Sequence, residues 1–113
     1  MVAVSFPKEQ VLMCCDRTKD ITLRKPTTKI TNNVVKFLNN YKYGVFAEAP
    51  LKSANIISVD DITDQLAKRL GYNTREEYLS NGWNSDFDTR VAIEWDKTQL
   101  KVYWDVVEKL GVL

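Results

Sequence analysis

The sequence predicts an α+β fold: five or six short strands curved into a small sheet or barrel, with helices at the periphery. Three observations carry that prediction. Apolar and polar side chains alternate with a period of two at Val2–Phe6, Ile21–Leu23 and Val91–Trp95, the pattern of strands. Capping residues at Thr63 and Thr74 each stand before apolar residues at helical spacing. The chain has 113 residues, 44% hydrophobic and 27% charged, enough for one domain (residues 1–113) with its own core.

The elements follow in order. Val2, Val4 and Phe6 make an opening strand that Pro7 ends, and Pro7 suits the first turn of a helix carrying Val11, Leu12 and Cys15 as a stripe. Asp16-Arg17-Thr18 turns the chain into a strand around Ile21 and Leu23, which Pro26 stops. After a polar loop from Thr27 to Asn33, two short strands are expected at Val34–Phe37 and Val45–Ala47, with a turn at Asn39-Asn40 between them. A further strand spans Ala54 to Val59. Thr63 then caps a helix with Leu66, Ala67 and Leu70 on one face, and Gly71 stands where a left-handed residue ends it. Thr74-Arg75-Glu76-Glu77 reads as a capping box that starts a short helix ending near Gly82. After the strand at Val91–Trp95, the spacing of Val102, Val106, Val107 and Leu110 predicts a C-terminal helix over 99–111.

Charge narrows the function classes. The formal net charge of +1 excludes nucleic-acid binding by bulk charge alone. Its distribution is uneven: residues 1–57 hold nine Lys or Arg against four acids, and residues 58–113 hold seven against eleven. Arg17, Lys19, Arg24, Lys25 and Lys29 crowd one short stretch with Asp20 as its single acid, a local field that attracts phosphate or another anion. The neighbouring Cys14 and Cys15 cannot staple distant segments and are expected buried and reduced. Lys8 and Glu9 interrupt any signal peptide, and no apolar run is long enough to cross a membrane, so a cytoplasmic location with no membrane partner is expected.

The stretch "KDITLRK", Lys19 to Lys25, poses the functional question. Ile21 and Leu23 share one face of the strand, so Asp20, Thr22 and Arg24 share the other. A half-buried strand showing its polar side to water explains that pattern, and so does a ligand site. The absence of histidine from the chain removes the usual general base. Asp60, Asp61 and Asp64 cluster at a helix start, where complementing the helix dipole is a better reading than holding Mg²⁺, and a zinc site has too few nitrogen and sulfur ligands. No metal or other cofactor is expected.

From Phe6 to Lys97 the order of motifs resembles an ASCH domain of the PUA-like superfamily. Lys19, Thr22 and Arg24 fall on the Lys, second Thr and Arg of the family's "G-x-K-T-x-T-x-R" element. Ala67, Gly71, Tyr72, Thr74, Glu76 and Glu77 match its "A-x-x-x-G-[FY]-x-[ST]-x-E-E" helix pair, and "V-x-I-x-[FW]" is met at Val91, Ile93 and Trp95. The helix expected over 99–111 lies outside the resemblance. What the resemblance implies is a compact PUA-like β-barrel with a cleft facing Thr22 and Arg24, and a role in binding or processing RNA. Some members hydrolyse the amide of N4-acetylcytidine with a Lys, a Thr and a Glu. Lys19 and Thr22 match the first two, and Leu70 stands where those hydrolases carry the Glu.

The expected function is therefore binding of RNA or a nucleotide-like small molecule in a basic cleft. Lys19 and Arg24 would meet phosphate or a base edge, Thr22 would supply a hydroxyl, and Arg17 and Lys25 would add charge. Tyr41, Tyr43 and Trp83 are the loop aromatics able to stack on a base. The alternatives are a hydrolase of the N4-acetylcytidine amidohydrolase or ribonuclease type with Lys19 and Thr22 catalytic, and a protein-interaction adaptor using the amphipathic tail from Val102 to Leu113. The sequence leaves the oligomeric state open.

Overall fold

The longest element, a 17-residue strand from Lys42 to Ser58, unites two segments that the sequence separates. It appears in a computed structural model that describes residues 2–40 and 42–113. In chain order the elements are β1 (Val2–Ser5), α1 (Lys8–Cys15), β2 (Ile21–Arg24), β3 (Val34–Asn39), β4 (Lys42–Ser58), α2 (Asp64–Arg69), α3 (Arg75–Leu79), β5 (Thr89–Trp95), β6 (Lys101–Val102) and α4 (Trp104–Lys109). Single 3₁₀ turns occupy Val59–Asp61 and Lys97–Gln99.

Among the described residues the six strands form one mixed sheet with the path β1-β3-β4-β5-β2, and β6 adds to β4. β1 runs parallel to β3, and every other pair is antiparallel. The sheet curls into a half-barrel because β4 serves both of its halves. Up to Pro50 it pairs with β3, and from Leu51 onward it pairs with β5 across a bulge between Leu51 and Ser53. Pro50 has no amide hydrogen to donate, so it is tolerated where one ladder gives way to the next. The same proline and the polar residues beside it make the sequence read as a break.

Two cores lie on opposite faces. The larger packs Phe6, Phe37, Phe46 and Trp95 against α1 and α4, and the smaller packs Ile21, Leu23 and Ala92 against α2 and α3. β5 lies between them. Its Val91, Ile93 and Trp95 enter the first core and its Ala92 the second, so it is buried on both faces instead of alternating with solvent.

The expected C-terminal helix over 99–111 is shorter than its periodicity suggests. Lys101 and Val102 pair with Glu48 and Ala47 of β4, and the amide of Tyr103 donates to the carbonyl of Phe46 at 2.8 Å. Only Trp104–Lys109 is helical, because backbone pairing captures Val102 while its side chain still packs on the core.

Candidate functional site

β1 and β2 stand at the two ends of the sheet path, yet both contribute to one cavity of about 180 Å³. Ser5 of β1 and Thr22 and Arg24 of β2 frame it, and Lys19 lies at its base. The ring of Phe6, only 1% exposed, lies under both cations: Arg24 Cζ is 5.0 Å and Lys19 Nζ 5.8 Å from its centroid. The cavity thus sits at the open seam of the half-barrel. Register explains the inward aim of the β2 residues: Thr22 and Arg24 pair with Ile93 and Val91, which belong to the larger core. Ile21 and Leu23 point the other way, into the smaller core. Thr22 is 5% exposed and Arg24 half-buried, so these two side chains face the cavity and not open solvent.

Lys19 is 2% exposed. The turn before it, with Arg17 at a φ of 65°, lets the Lys19 amide donate to the carbonyl of Met13 at 3.0 Å and turns the side chain inward. Its Nζ donates to the carbonyl oxygen of Leu70 at 2.8 Å. That acceptor is available because of how α2 ends. The amides of Gly71 and Tyr72 return to the carbonyls of Lys68 and Ala67, a Schellman closure that leaves the Leu70 carbonyl to another donor. Gly71, at a φ of 99°, is the residue that permits the closure.

Burial lowers the Lys19 amine from an ordinary 10.5 to about 8, and the nearby Arg24 guanidinium works in the same direction. Two neighbours oppose the shift, Cys14 by more than Arg24 adds to it and Asp20 by less. Burial pushes the Cys14 thiol up to about 12, so it is neutral at ordinary pH. Asp20 turns outward, where its carboxylate pairs with Arg69 at 3.0 Å, and Arg69 also meets Glu94 at 2.5 Å. Among the described residues no carboxylate lines the cavity.

The opposite wall is aromatic. Tyr72 and Tyr78 meet edge to face at 5.3 Å, and Trp83 and Asn84 complete that side. Arg90 builds this wall from behind. It is fully buried, and its guanidinium donates to the Tyr78 hydroxyl at 2.9 Å and to the carbonyls of Asn84 and Phe87 at 2.8 and 2.7 Å. Its Cζ also lies 5.8 and 5.6 Å from the rings of Tyr78 and Trp83. Arg90 thus pins the segment Ser80–Asp88 from within, together with the Asn84 side chain, which donates to the Tyr78 carbonyl at 2.8 Å.

Lys19, Thr22, Arg24 and Trp83, all anticipated as ligand residues, come together in this cavity. Arg17, Lys25 and Tyr43 do not. Arg17 is exposed and donates through Nε to the carbonyl of Lys97 at 3.0 Å. Lys25 is exposed just past the end of β2, and Tyr43 is 61% exposed at the start of β4. Tyr41 lies outside the described residues. Sequence reasoning missed Tyr72, Tyr78, Asn84 and Arg90 as parts of the site. The one signal for Arg90 was a cation inside an otherwise apolar strand, Thr89-Arg90-Val91-Ala92-Ile93.

The remaining polar clusters have structural partners. Asp61 accepts from the Ser58 amide at 2.9 Å and Asp64 from the Arg75 amide at 2.8 Å. No group of three or more metal-ligating side chains occurs among the described residues, and none of their helices is long and apolar enough to cross a membrane. Cys14 and Cys15 are buried free thiols. Searches of protein-family models, curated proteins and solved structures find no match to this chain.

Proposed function

We propose that this chain is an ASCH-like, PUA-related domain that binds RNA or a nucleotide, taking one base or phosphate into the seam cavity. One observation carries the reading: two cations and an aromatic wall share a desolvated cavity that no described carboxylate lines. Such a site favours a group with acceptor oxygens at one edge and a flat face for stacking. Its volume of about 180 Å³ is below the ~300 Å³ at which pockets for whole small molecules begin, so it suits a fragment of a larger ligand. The resemblance at Lys19, Thr22, Arg24 and Gly71-Tyr72 supports the same assignment.

The hydrolase reading draws on a different observation, a buried Lys19 beside Thr22, with the amine lowered to about 8. A hydroxyl nucleophile needs a base, and a lysine at that value supplies some neutral amine at pH 7.5. Against it, Leu70 presents only a main-chain carbonyl to Lys19, where a proton-relaying carboxylate would be needed. Binding is the better supported function.

A salt titration with short single-stranded RNAs tests it. Few phosphates can reach so small a basic area, so the expected slope is shallow. Arg24→Ala should weaken binding by roughly 1–3 kcal/mol. Thr22→Val should remove a hydrogen bond without changing shape. Folded variants that bind RNA as the parent does, or a parent with no binding at low salt, overturn the proposal. Turnover of N4-acetylcytidine to cytidine by the pure protein would favour the hydrolase instead.

A further inference from the structure

We propose that Lys19 is a reactive amine, a site of imine formation with small carbonyl compounds that carry an anionic group, the anion lying against Arg24. The inference goes beyond nucleotide binding and does not depend on it. It rests first on placement. The amine is 2% exposed, yet lines a cavity that admits a molecule of a few heavy atoms. It donates to a neutral acceptor, the Leu70 carbonyl, which an uncharged amine satisfies as well as an ammonium does. The nearest acid in sequence, Asp20, is held outside by Arg69. Arg24 lines the same cavity and, like Lys19, lies over the Phe6 ring, so a second cation stands within reach of the same small molecule.

A desolvated lysine next to another cation is the arrangement that activates an amine as a nucleophile. The lowering of Lys19 to about 8 agrees with it. In the reaction the nitrogen lone pair attacks the carbonyl carbon, a C–N bond forms, and the carbonyl oxygen takes up one amine hydrogen. The carbinolamine then loses that oxygen as water with the second amine hydrogen, leaving a C=N bond. No oxidant or reductant is consumed. The aromatic wall and Phe6 keep bulk water from the product, which slows its hydrolysis.

Glyoxylate with sodium cyanoborohydride tests the proposal on the whole chain at pH 7.5. The hydride reduces each imine to a stable carboxymethyl-lysine, and peptide mass mapping reads its position. Lys19 is expected to label at least about tenfold faster than the average of the other lysines, because at about 8 its amine is in good part uncharged at pH 7.5. Labelling of Lys19 no faster than theirs overturns the proposal. Propanal, which lacks the anion, should show a smaller preference for Lys19. Arg24→Gln should bring glyoxylate down to the propanal level, and an undiminished glyoxylate preference in that variant overturns the role of Arg24. Should Arg24→Gln fail to fold, inorganic phosphate at millimolar concentration is the substitute: it should protect Lys19 of the parent chain from glyoxylate, and no protection counts against the anion site. An absence of RNA binding would leave all of these labelling results standing.

Discussion

The buried amine of Lys19 donates to the carbonyl of Leu70 at 2.8 Å, joining the turn before β2 to the end of α2 across 51 residues of chain. The contact places a positive group at a helix C-terminus, where charge is welcome, but removes it from water. Desolvation prevails, since the amine falls from 10.5 to about 8. Between those values the unfolded chain holds more protons than the folded one, so stability gained from releasing this proton rises with pH. The folded state carries a cost of about 3 kcal/mol at pH 7 that fades as pH climbs through 8 toward 10.5. Lys19→Met should remove this pH dependence. Denaturant melts of both proteins should show the parent gaining about 2–3 kcal/mol on the variant between pH 7 and pH 10. A constant difference would mean that the amine keeps its charge on folding.

The two thiols act in the opposite direction. Burial raises Cys14 to about 12 and Cys15 to about 11, against an ordinary 9. Below pH 9 both are protonated whether folded or not, and their contribution is fully present. Above it the unfolded thiols ionise first and stability is lost as pH rises toward 11 and 12. Cys14→Ala and Cys15→Ala together should flatten the fall in melting temperature above pH 9. An equally steep fall in the double variant would place the alkaline transition elsewhere.

Arg90→Met should be among the most damaging single changes in the chain. It leaves the Tyr78 hydroxyl and the carbonyls of Asn84 and Phe87 without their buried donor. Each such loss costs about 1 kcal/mol or more, so a destabilisation of about 3 kcal/mol is expected. Because Arg90 also lies on the Trp83 ring, Trp83 emission should shift to the red in the folded variant, with easier quenching by acrylamide. Comparing the signal with a Trp83→Phe control isolates this residue from Trp95 and Trp104. An unmoved spectrum would show that the wall stands without Arg90.

Gly71→Ala should weaken the site through its frame. The residue sits at a φ of 99°, and an added Cβ would come within 3.2 Å of Met13 Cε. Backbone strain and the displaced methionine together should cost about 1–2 kcal/mol. The matching change at Gly82, where nothing lies within 4 Å of an added Cβ, carries only the backbone part. Equal melting temperatures for the two variants would count against the tight approach to Met13.

Much of the fold and part of the site were legible in the sequence, for identifiable reasons. Local signals did well: the caps at Thr63 and Thr74 accept from the amides of Leu66 and Glu77. The alternation at Ile21 and Leu23 did divide β2 into two faces. What local signals could not show is which face meets solvent, and here neither does: Thr22 is enclosed because the sheet curls β1 toward it. The union of Val45–Ala47 with all but the last residue of Ala54–Val59 in one strand was hidden by Pro50, whose meaning depends on the partner strand beside it. Charge counting misplaced Arg17 and Lys25 relative to the cavity for a related reason. Sequence nearness to Lys19 says nothing about direction, and the turn at Arg17 sends that side chain toward Lys97. Arg90, conversely, is distant in sequence from β2 and became visible only through its contacts.

The sheet path has a consequence for the order of assembly. β3 to β6, from Val34 to Val102, pair largely with neighbours along the chain, whereas β1 and β2 attach to opposite ends of that platform. Residues 2–24 therefore act as a clip that docks at both margins at once, with α1 spanning the gap. Its pairing of β2 with β5, from Ile21 with Glu94 to Arg24 with Val91, closes the longest loop of any strand pair among the described residues, and loop closure is what slows folding. Within this chain β2 precedes its partner β5 by about 70 residues and cannot pair until β5 is present. A molecule with the platform formed and the clip undocked has strands but no cavity, so ligand binding should appear only in the final kinetic phase of refolding.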